Sequence, residues 1–350
     1  MRVGNSVFLG DNGAMRIAIV GAGAMGTLLG HRFCKAGHEV TLLDRPGRVA
    51  QIQSTGSLFV IGPGGTGSAV RPTSVTADYS TAGIHDVVIL ATKSQDLPSV
   101  AEGLSDITAS DSTIVTIQNG IPWWYLQGLQ SDFGSSRIPC LDPDRQLERV
   151  IDSSQIVGCV AYPAAMMDSS GRVHHVEGDR FPIGELDGSV YQRTQRIAGL
   201  FEEAGFKSRI IDDIRSEIWL KAWGATPINS ISALTRATME EICSFADTRK
   251  LVEQTMREIQ EIAEAFGATF RHSIERRVDA ARAVGAHKTS MLQDVESGRT
   301  LELDALMLAV LQLADLAGKE APTLKNLYAC TALLNNGLLA KGQRGAAEEP

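Results

Sequence analysis

The sequence predicts an α/β Rossmann-type dinucleotide-binding domain followed by an all-α C-terminal domain. A short apolar segment leads directly into the glycine-rich stretch "GAGAMG" at residues 21–26. Strand-like apolar segments recur up to about residue 213, and beyond it the apolar positions follow helical spacing. A chain of 350 residues is long enough for about two domains. We therefore predict one domain over 15–213 and a second over 214–340, with disordered segments at 1–14 and 341–350.

The composition argues against several classes of protein. A net charge of −8, with acids and bases mixed along the chain, argues against nucleic acid or an anionic membrane as a partner. The five cysteines are scattered and form no CxxC pair, so we predict neither a disulfide framework nor a metal site. This cysteine usage fits a reducing cytoplasm. No apolar run approaches the roughly 18 residues that a membrane span needs.

The first elements predict a β-loop-α-β unit. Residues 16–20 ("RIAIV") form a short apolar strand, the helix after the glycine loop ends near Gly37, and residues 38–44 ("HEVTLLD") form the second strand. The rest of the first half contains four strand segments, an amphipathic helix and a closing segment: 86–92, 112–120, 156–167, 171–185, 191–205 and 207–213. Helical spacing then dominates four further segments: 217–235, 239–266, 270–284 and 302–317.

The glycine loop has the spacing G-x-G-x-x-G and lies between a predicted strand and a predicted helix. Gly21 permits the tight turn, Gly23 lets the backbone approach a pyrophosphate, and Gly26 lets the helix pack closely on the sheet. The phosphate would lie at the helix N-terminus. We assign these glycines, with Ala24 and Met25 between them, to cofactor binding, because the context favours a ligand over a simple glycine turn.

The end of the second predicted strand bears on which nicotinamide cofactor is used. Asp44 lies 18 positions after Gly26, where a carboxylate holds the ribose hydroxyls of NAD. Arg45 follows it directly and Arg48 is close, and either arginine can hold the 2′-phosphate of NADP. The acid and the bases argue in opposite directions, so this loop leaves NAD and NADP both open.

Two polar residues lie where later strands end. Lys93 follows the strand of residues 86–92, and Asn119 lies at the end of 112–120. Ligands of open α/β sheets bind at the carboxyl ends of the strands, so both residues are candidates to contact a nicotinamide ribose or a substrate. The alternatives are a solvated lysine in a turn and an Asn-Gly turn pair.

The helical half contains an unpaired lysine in an apolar stretch, "WLKAWGATPIN". Lys221 and Asn229 are eight residues apart, which places them within about 80° on one helix. Pro227 removes one backbone hydrogen bond and is expected to kink that helix. A lysine here is either functional or extends its charged end to water. Further on, Glu302 is predicted in the first turn of a helix, where it either favours the helix dipole or pairs with the lysine.

The blocks together resemble the ketopantoate reductase (2-dehydropantoate 2-reductase) family over roughly residues 15 to 335. The signature blocks occur in the family's order: "GAGAMG", "ATKSQD", "TIQNG", "WLKAWGATPIN" and "SMLQD…GRTLELD". The resemblance implies an NADP-binding Rossmann domain, a helical domain for substrate binding or dimerisation, and an active site between them. It implies reduction of the 2-oxo group of ketopantoate by NADPH, in pantothenate and coenzyme A biosynthesis. We also expect a cytoplasmic enzyme, and the exposed faces of its helical half could support a homodimer.

The resemblance also implies roles for individual residues. Lys221 would act as general acid, with Glu302 close to it and to the substrate. Ser290 would hold the substrate carboxylate. Asn229 and Asn119 would also bind the substrate. Lys93 and Asn119 would contact the cofactor, and Arg45 would favour NADP, with Asp44 keeping NAD use open.

One position departs from the family pattern. The family places an asparagine four residues after the lysine and another four residues later, whereas this chain has Ala225 and then Asn229. One lost hydrogen bond to a polar substrate group is worth about 1 kcal/mol. This departure keeps open an NAD(P)H-dependent reductase of another branched 2-oxo acid. A separate alternative is a dinucleotide-binding sensor without turnover, which would retain the glycine loop but need neither Lys221 nor Glu302.

Overall fold

The computed structural model describes the backbone of residues 13–348 and the side chains of residues 13–340. All but the last two residues of the segment predicted to be disordered at 1–14 lie outside this part of the chain. At the other end, the backbone is helical as far as Glu348, where a disordered tail was expected from residue 341. Seven of the ten residues in this segment are Lys, Gln, Arg, Ala or Glu, which favour a helix, whereas Gly342 and Gly345 do not.

Eleven strands of the described residues form two sheets. In chain order they are β1 Arg16–Val20, β2 Glu39–Leu43, β3 Leu58–Ile61, β4 Gly67–Val70, β5 Ser74–Thr76, β6 Val87–Leu90, β7 Thr113–Thr116, β8 Ile156–Cys159, β9 Ala164–Met167, β10 Val173–Glu177 and β11 Ile183–Glu185. The larger sheet has the order β11-β8-β7-β6-β1-β2-β5 and is parallel except for β11. The smaller sheet has the order β4-β3-β10-β9. The carboxyl ends of the parallel strands share one edge, which is where ligands of such sheets bind.

Helices surround the large sheet and form the whole second half. The first half contains α1 Ala24–Lys35, α2 Pro46–Thr55, α3 Leu97–Ile107, α4 Gln146–Val150 and α5 Gln192–Glu203. The second half contains α6 Ile214–Thr235, α7 Met239–Ser244, α8 Ala246–Ala265, α9 Ile274–Ala283, α10 Ser290–Glu296, a π-helical turn Asp304–Leu308, α11 Ala309–Leu316 and α12 Pro322–Glu348. The predicted fold class, a Rossmann-type half followed by a helical half, is confirmed.

The second half of the Rossmann region differs in detail from the prediction. The segment 156–167 divides into β8 in the large sheet and β9 in the small sheet, and 171–185 divides in the opposite order, into β10 in the small sheet and β11 in the large sheet. Tyr162 and Pro163 lie between β8 and β9, and a proline cannot donate a ladder hydrogen bond. One apolar run thus serves two sheets, which its composition alone does not reveal.

The N-terminal turns of α6 are anchored to the Rossmann half. Arg215 donates hydrogen bonds to three backbone carbonyls, those of Tyr125, Gln127 and Leu186. Trp219 is fully buried and its indole donates to the Tyr125 hydroxyl at 2.6 Å. These contacts fix α6 against the loop that follows β7, so the residues on the next turn of α6 face the carboxyl edge of the sheet. In the described part of the chain, no helix is both long and apolar enough to cross a membrane.

Candidate active site

Lys221 contacts two loops that leave the carboxyl ends of the sheet strands. Its Nζ donates to the Oδ1 of Asn119 at 2.6 Å and also to the carbonyl of Ala161. Asn119 follows β7, Ala161 follows β8, and Lys221 lies on α6. Two residues that are 102 positions apart in the chain are therefore hydrogen bonded across the junction of the two halves.

The surroundings of Lys221 make its ammonium a stronger acid than the ammonium of a free lysine. Burial lowers the pKa of Lys221 to about 8, while the nearby Glu302 carboxylate opposes this shift. Desolvation penalises the charged form, so the proton is released more readily than from a solvated lysine. A buried lysine with a pKa close to neutral is suited to donate a proton.

Glu302 lies at the same junction and immediately precedes the helical segment that begins at Leu303. Its Oε1 accepts a hydrogen bond from the backbone N–H of Ser94 at 3.4 Å. Burial raises the pKa of Glu302, Asp294 raises it further, and Lys93 and the Asn119 side chain lower it. Glu302 was expected in the first turn of a helix. The structure places it one residue before that helix, and Asp304–Leu308 form a π-helical turn.

Lys93 joins the two halves of the chain. Its Nζ contacts the Oδ2 of Asp294 at 2.9 Å and the carbonyl of Thr300 at 3.0 Å. The Asp294 side chain is only 13% exposed, and it also pairs with Arg299 at 2.8 Å. Lys93 therefore forms an ion pair between the two domains, which the sequence did not predict. Its role in cofactor binding stays a prediction.

The two other predicted substrate ligands lie on helices that border this junction. Ser290 is the exposed first residue of α10, one turn before Asp294 on the same helix face. Asn229 is partly buried on α6, two turns after Lys221, and the helix continues through Pro227 between them. In the described part of the chain, neither Ser290 nor Asn229 is hydrogen bonded to Lys221, so their roles stay predictions.

The glycine loop has the shape that a pyrophosphate needs. Gly21 has a φ of +102°, and a Cβ there would lie 2.6 Å from the backbone N of Thr92. A Cβ on Gly26 would lie 1.9 Å from the carbonyl oxygen of Gly21, so α1 packs directly on the loop. By contrast, Gly23 is exposed, and a Cβ there would meet no atom within 4 Å. Space for a ligand thus lies at Gly23, next to the first N–H groups of α1 at Ala24 and Met25, which have no acceptor within the helix.

The acid and the two arginines after β2 have distinct contacts. The Asp44 carboxylate accepts from the backbone N–H of Ala22 at 2.5 Å and from that of Arg45 at 2.6 Å. Arg48 donates from its Nε to the carbonyl of Ala22 at 2.9 Å and from Nη2 to the Thr27 hydroxyl at 3.1 Å. Arg48 therefore stabilises the loop itself, whereas the Arg45 side chain is exposed.

Tyr162 lies close to Lys221, and the sequence did not single it out. It follows Ala161 in the loop between the two sheets, and the centre of its ring lies 6.0 Å from the Lys221 Nζ. Its hydroxyl donates to Glu217 on α6 at 2.7 Å, and the Arg180 guanidinium lies 4.4 Å from the ring centre. A single tyrosine before a proline matches no sequence motif, so only the three-dimensional structure shows that Tyr162 lies near Lys221. Over the described residues, no group of three or more His, Cys, Asp or Glu side chains is arranged to hold a metal ion.

Comparison with known proteins gives the same family for both halves of the chain. Residues 17–188 match the family described as ketopantoate reductase PanE/ApbA, and residues 213–335 match its C-terminal part. A curated protein from Mesorhizobium japonicum, named 2-dehydropantoate 2-reductase, is 38% identical over 316 residues, which are 90% of this chain and 96% of that protein. This chain belongs to the ketopantoate reductase family. The match confirms the family resemblance seen in the signature blocks.

Solved structures of the ketopantoate reductase family have the same fold. A structure described as a putative ketopantoate reductase from Ralstonia solanacearum MolK2 is 31% identical, with a TM-score of 0.88 over 93% of this chain and 99% of that chain. The 2-dehydropantoate 2-reductase of Geobacter metallireducens GS-15 is 26% identical, with a TM-score of 0.79 over 91% and 99%. The chain is thus a nicotinamide-dinucleotide-dependent oxidoreductase of the 2-dehydropantoate 2-reductase type, which fits pantothenate biosynthesis.

Proposed function

We propose that this protein reduces the 2-oxo group of 2-dehydropantoate to (R)-pantoate with NADPH, and that Lys221 is the general acid. The observation that carries the proposal is the position of the Lys221 ammonium. It is hydrogen bonded to Asn119 and Ala161 at the carboxyl edge of the sheet, with a pKa of about 8. The 38% identity to a protein named 2-dehydropantoate 2-reductase supports the substrate.

The chemistry follows from how these side chains handle charge. A bound nicotinamide would supply a hydride to the carbonyl carbon, which would leave a negative charge on the carbonyl oxygen of the substrate. The Lys221 ammonium stabilises that charge and transfers its proton to the oxygen. The hydrogen bonds to Asn119 and to the Ala161 carbonyl fix the orientation of the Lys221 ammonium. Glu302 raises the pKa of Lys221 and so favours its protonated form between turnovers. We further propose that Ser290 and Asn229, on the bordering helices, bind the rest of the substrate.

The choice of NADPH depends on Arg45. The Arg48 side chain is hydrogen bonded to Ala22 and Thr27. The Arg45 side chain is exposed, so it is the better placed of the two arginines after β2 to bind a 2′-phosphate. The Asp44 carboxylate is hydrogen bonded to two backbone N–H groups but can accept further bonds, which keeps NAD use open. Glycine-loop residues 21–26 and the N-terminus of α1 would hold the pyrophosphate of either cofactor.

A panel of 2-oxo acids tests the substrate. We expect the highest kcat/KM for 2-dehydropantoate with NADPH, measured as the loss of nicotinamide absorbance. Ala225 supplies a specific reason for a second candidate, another branched 2-oxo acid, because the amide of the family pattern is missing there. A clear preference for a different branched 2-oxo acid would support that candidate. Cofactor binding without any turnover would instead indicate a dinucleotide sensor.

Replacing Arg45 by glutamine tests the cofactor. A charge-assisted hydrogen bond is worth about 1.5–3 kcal/mol, so we expect kcat/KM for NADPH to fall by roughly tenfold to a hundredfold. The value for NADH should change by less than about twofold. Arg209→Gln is a matched control, because Arg209 is also exposed and lies beside β11 at the opposite edge of the large sheet. An equal loss with both cofactors would contradict the proposed role.

A cytoplasmic location and a homodimer also stay predictions.

A further inference from the structure

Arg277 brings a second cation against α6, beside the turn that carries Lys221. It belongs to α9, and its guanidinium lies against the backbone of Gly224 on α6. A Cβ at position 224 would lie 2.7 Å from the Arg277 Nε and 3.2 Å from its Nη2. The absence of a side chain at Gly224 is therefore what lets the guanidinium approach the helix.

The Arg277 guanidinium has unused hydrogen-bonding capacity. Its Nε is buried, and it has no hydrogen-bond partner within the described part of the chain. A buried donor without a partner costs about 1–3 kcal/mol, and more when the group is charged. Such a cost is tolerated where a ligand supplies the missing acceptor.

The position of Arg277 relates it to the predicted proton donor. Gly224 follows Lys221 by three residues, which is about 60° around the helix and about 4.5 Å along it. Tyr162 lies near both cations: its ring centre is 6.0 Å from the Lys221 Nζ, and Arg277 is close enough to oppose the burial that raises the pKa of its hydroxyl. Both cations thus lie in the neighbourhood of Tyr162.

The charges around Tyr162 leave a surplus of cations. Lys221, Arg180 and Arg277 lie around this tyrosine, and Glu217 accepts a hydrogen bond from its hydroxyl at 2.7 Å. Glu302 lies near Lys221, so three cations face two carboxylates. A surplus of positive charge next to a partly buried site favours an anion. A planar guanidinium is well suited to a carboxylate, which it can hold through two parallel hydrogen bonds.

We propose that Arg277 binds the carboxylate of the 2-oxo acid substrate, with Gly224 providing the space for its guanidinium. The proposal rests on the function proposed above and adds a substrate-binding residue to it. It also bears on Ala225, where this chain lacks the asparagine of the family pattern. The Arg277 guanidinium lies against the preceding residue, Gly224. Ser290, predicted to hold the same carboxylate, would add a neutral hydrogen bond to the charged one.

The test compares Arg277→Gln with Arg276→Gln, a control at the adjacent, exposed position of α9. With the best 2-oxo acid of the panel, we expect Arg277→Gln to raise KM for that acid by about tenfold to a hundredfold. The kcat should stay within severalfold and KM for NADPH within about twofold. Arg277→Lys, which retains a point charge, should recover part of the loss. Arg276→Gln should behave as the unsubstituted protein.

A second readout separates carboxylate binding from a structural role. The unsubstituted protein should prefer the 2-oxo acid strongly over its uncharged carboxamide, and Arg277→Gln should lose most of that preference. If KM rose equally for acid and carboxamide, Arg277 would only support the packing of α9, and the proposal would be overturned. Should Arg277→Gln fail to fold, Gly224→Ala applies the same test, because the added methyl group displaces the guanidinium.

The outcome can be told apart from a failure of the proposed function. If no 2-oxo acid is reduced, calorimetric titration of the cofactor-loaded protein with oxamate and with pantoate still tests the carboxylate site. Weaker binding to Arg277→Gln, with unchanged binding to Arg276→Gln, would support Arg277 while the reaction is rejected. No binding of either compound to the unsubstituted protein, or equal binding to both variants, would overturn the inference.

Discussion

Replacing Lys221 by alanine is expected to reduce kcat by about a thousandfold or more and to leave the affinity for NADPH within about twofold. The substitution removes the ammonium that balances the charge formed on the carbonyl oxygen, together with the proton that neutralises it. The glycine loop and its phosphate site lie on other elements, so cofactor binding is not disturbed. The measurements are kcat with the best 2-oxo acid and a fluorescence titration with NADPH.

Two further variants sharpen this result. Lys221→Arg retains a positive charge but cannot release its proton near neutral pH, so it separates charge stabilisation from proton transfer. We expect it to recover only a small part of the lost rate. Lys250→Ala is the control, because Lys250 is 77% exposed on α8. Normal turnover by Lys221→Ala would show that another group donates the proton.

The pKa of Lys221 fixes the sign of the pH dependence. Burial lowers this pKa to about 8, and a general acid works only in its protonated form. Reduction should therefore proceed at its full rate below about pH 8 and slow by about tenfold per pH unit well above it. An activity that rises between pH 8 and pH 9.5 would contradict the assignment.

The part of the fold that the sequence predicts well is the part that local patterns determine. Gly21 needs a positive φ, and Gly26 meets the loop carbonyl directly, so their spacing encodes both the turn and the packing of α1. Lys221 could be singled out because a lysine among tryptophans is unusual for a buried helix. Its contact with Asn119 required the relative placement of two halves, for which the family resemblance supplied the expectation.

Other features depend on contacts between distant segments and could not be predicted. The Lys93–Asp294 ion pair joins residues 201 positions apart, and neither position has a pattern that selects the other. The small sheet includes β3 and β4, which are short, partly exposed and separated by a glycine turn, so they carry little periodicity. Arg277 sits in an ordinary amphipathic helix, and only the glycine opposite it reveals the close approach.

Replacing Glu302 by glutamine is expected to move the alkaline limit of the reaction to lower pH. The Glu302 carboxylate raises the pKa of Lys221 and so opposes the effect of burial. An amide of the same size removes that charge, so the pKa of Lys221 should fall below about 8 and less of the lysine should be protonated near neutral pH. We expect kcat at pH 7.5 to fall by about tenfold to a hundredfold, with part of the loss recovered at pH 6.

The direction of this shift separates the two roles that the sequence left open for Glu302. An acid that only favoured the dipole of the following helix would change the free energy of unfolding and leave the pH profile of kcat in place. Asp304→Asn is the matched control, because Asp304 lies two residues further on, in the π-helical turn, and burial raises its pKa too. A profile that moves in Glu302→Gln but not in Asp304→Asn requires Glu302 to act through the charge of Lys221.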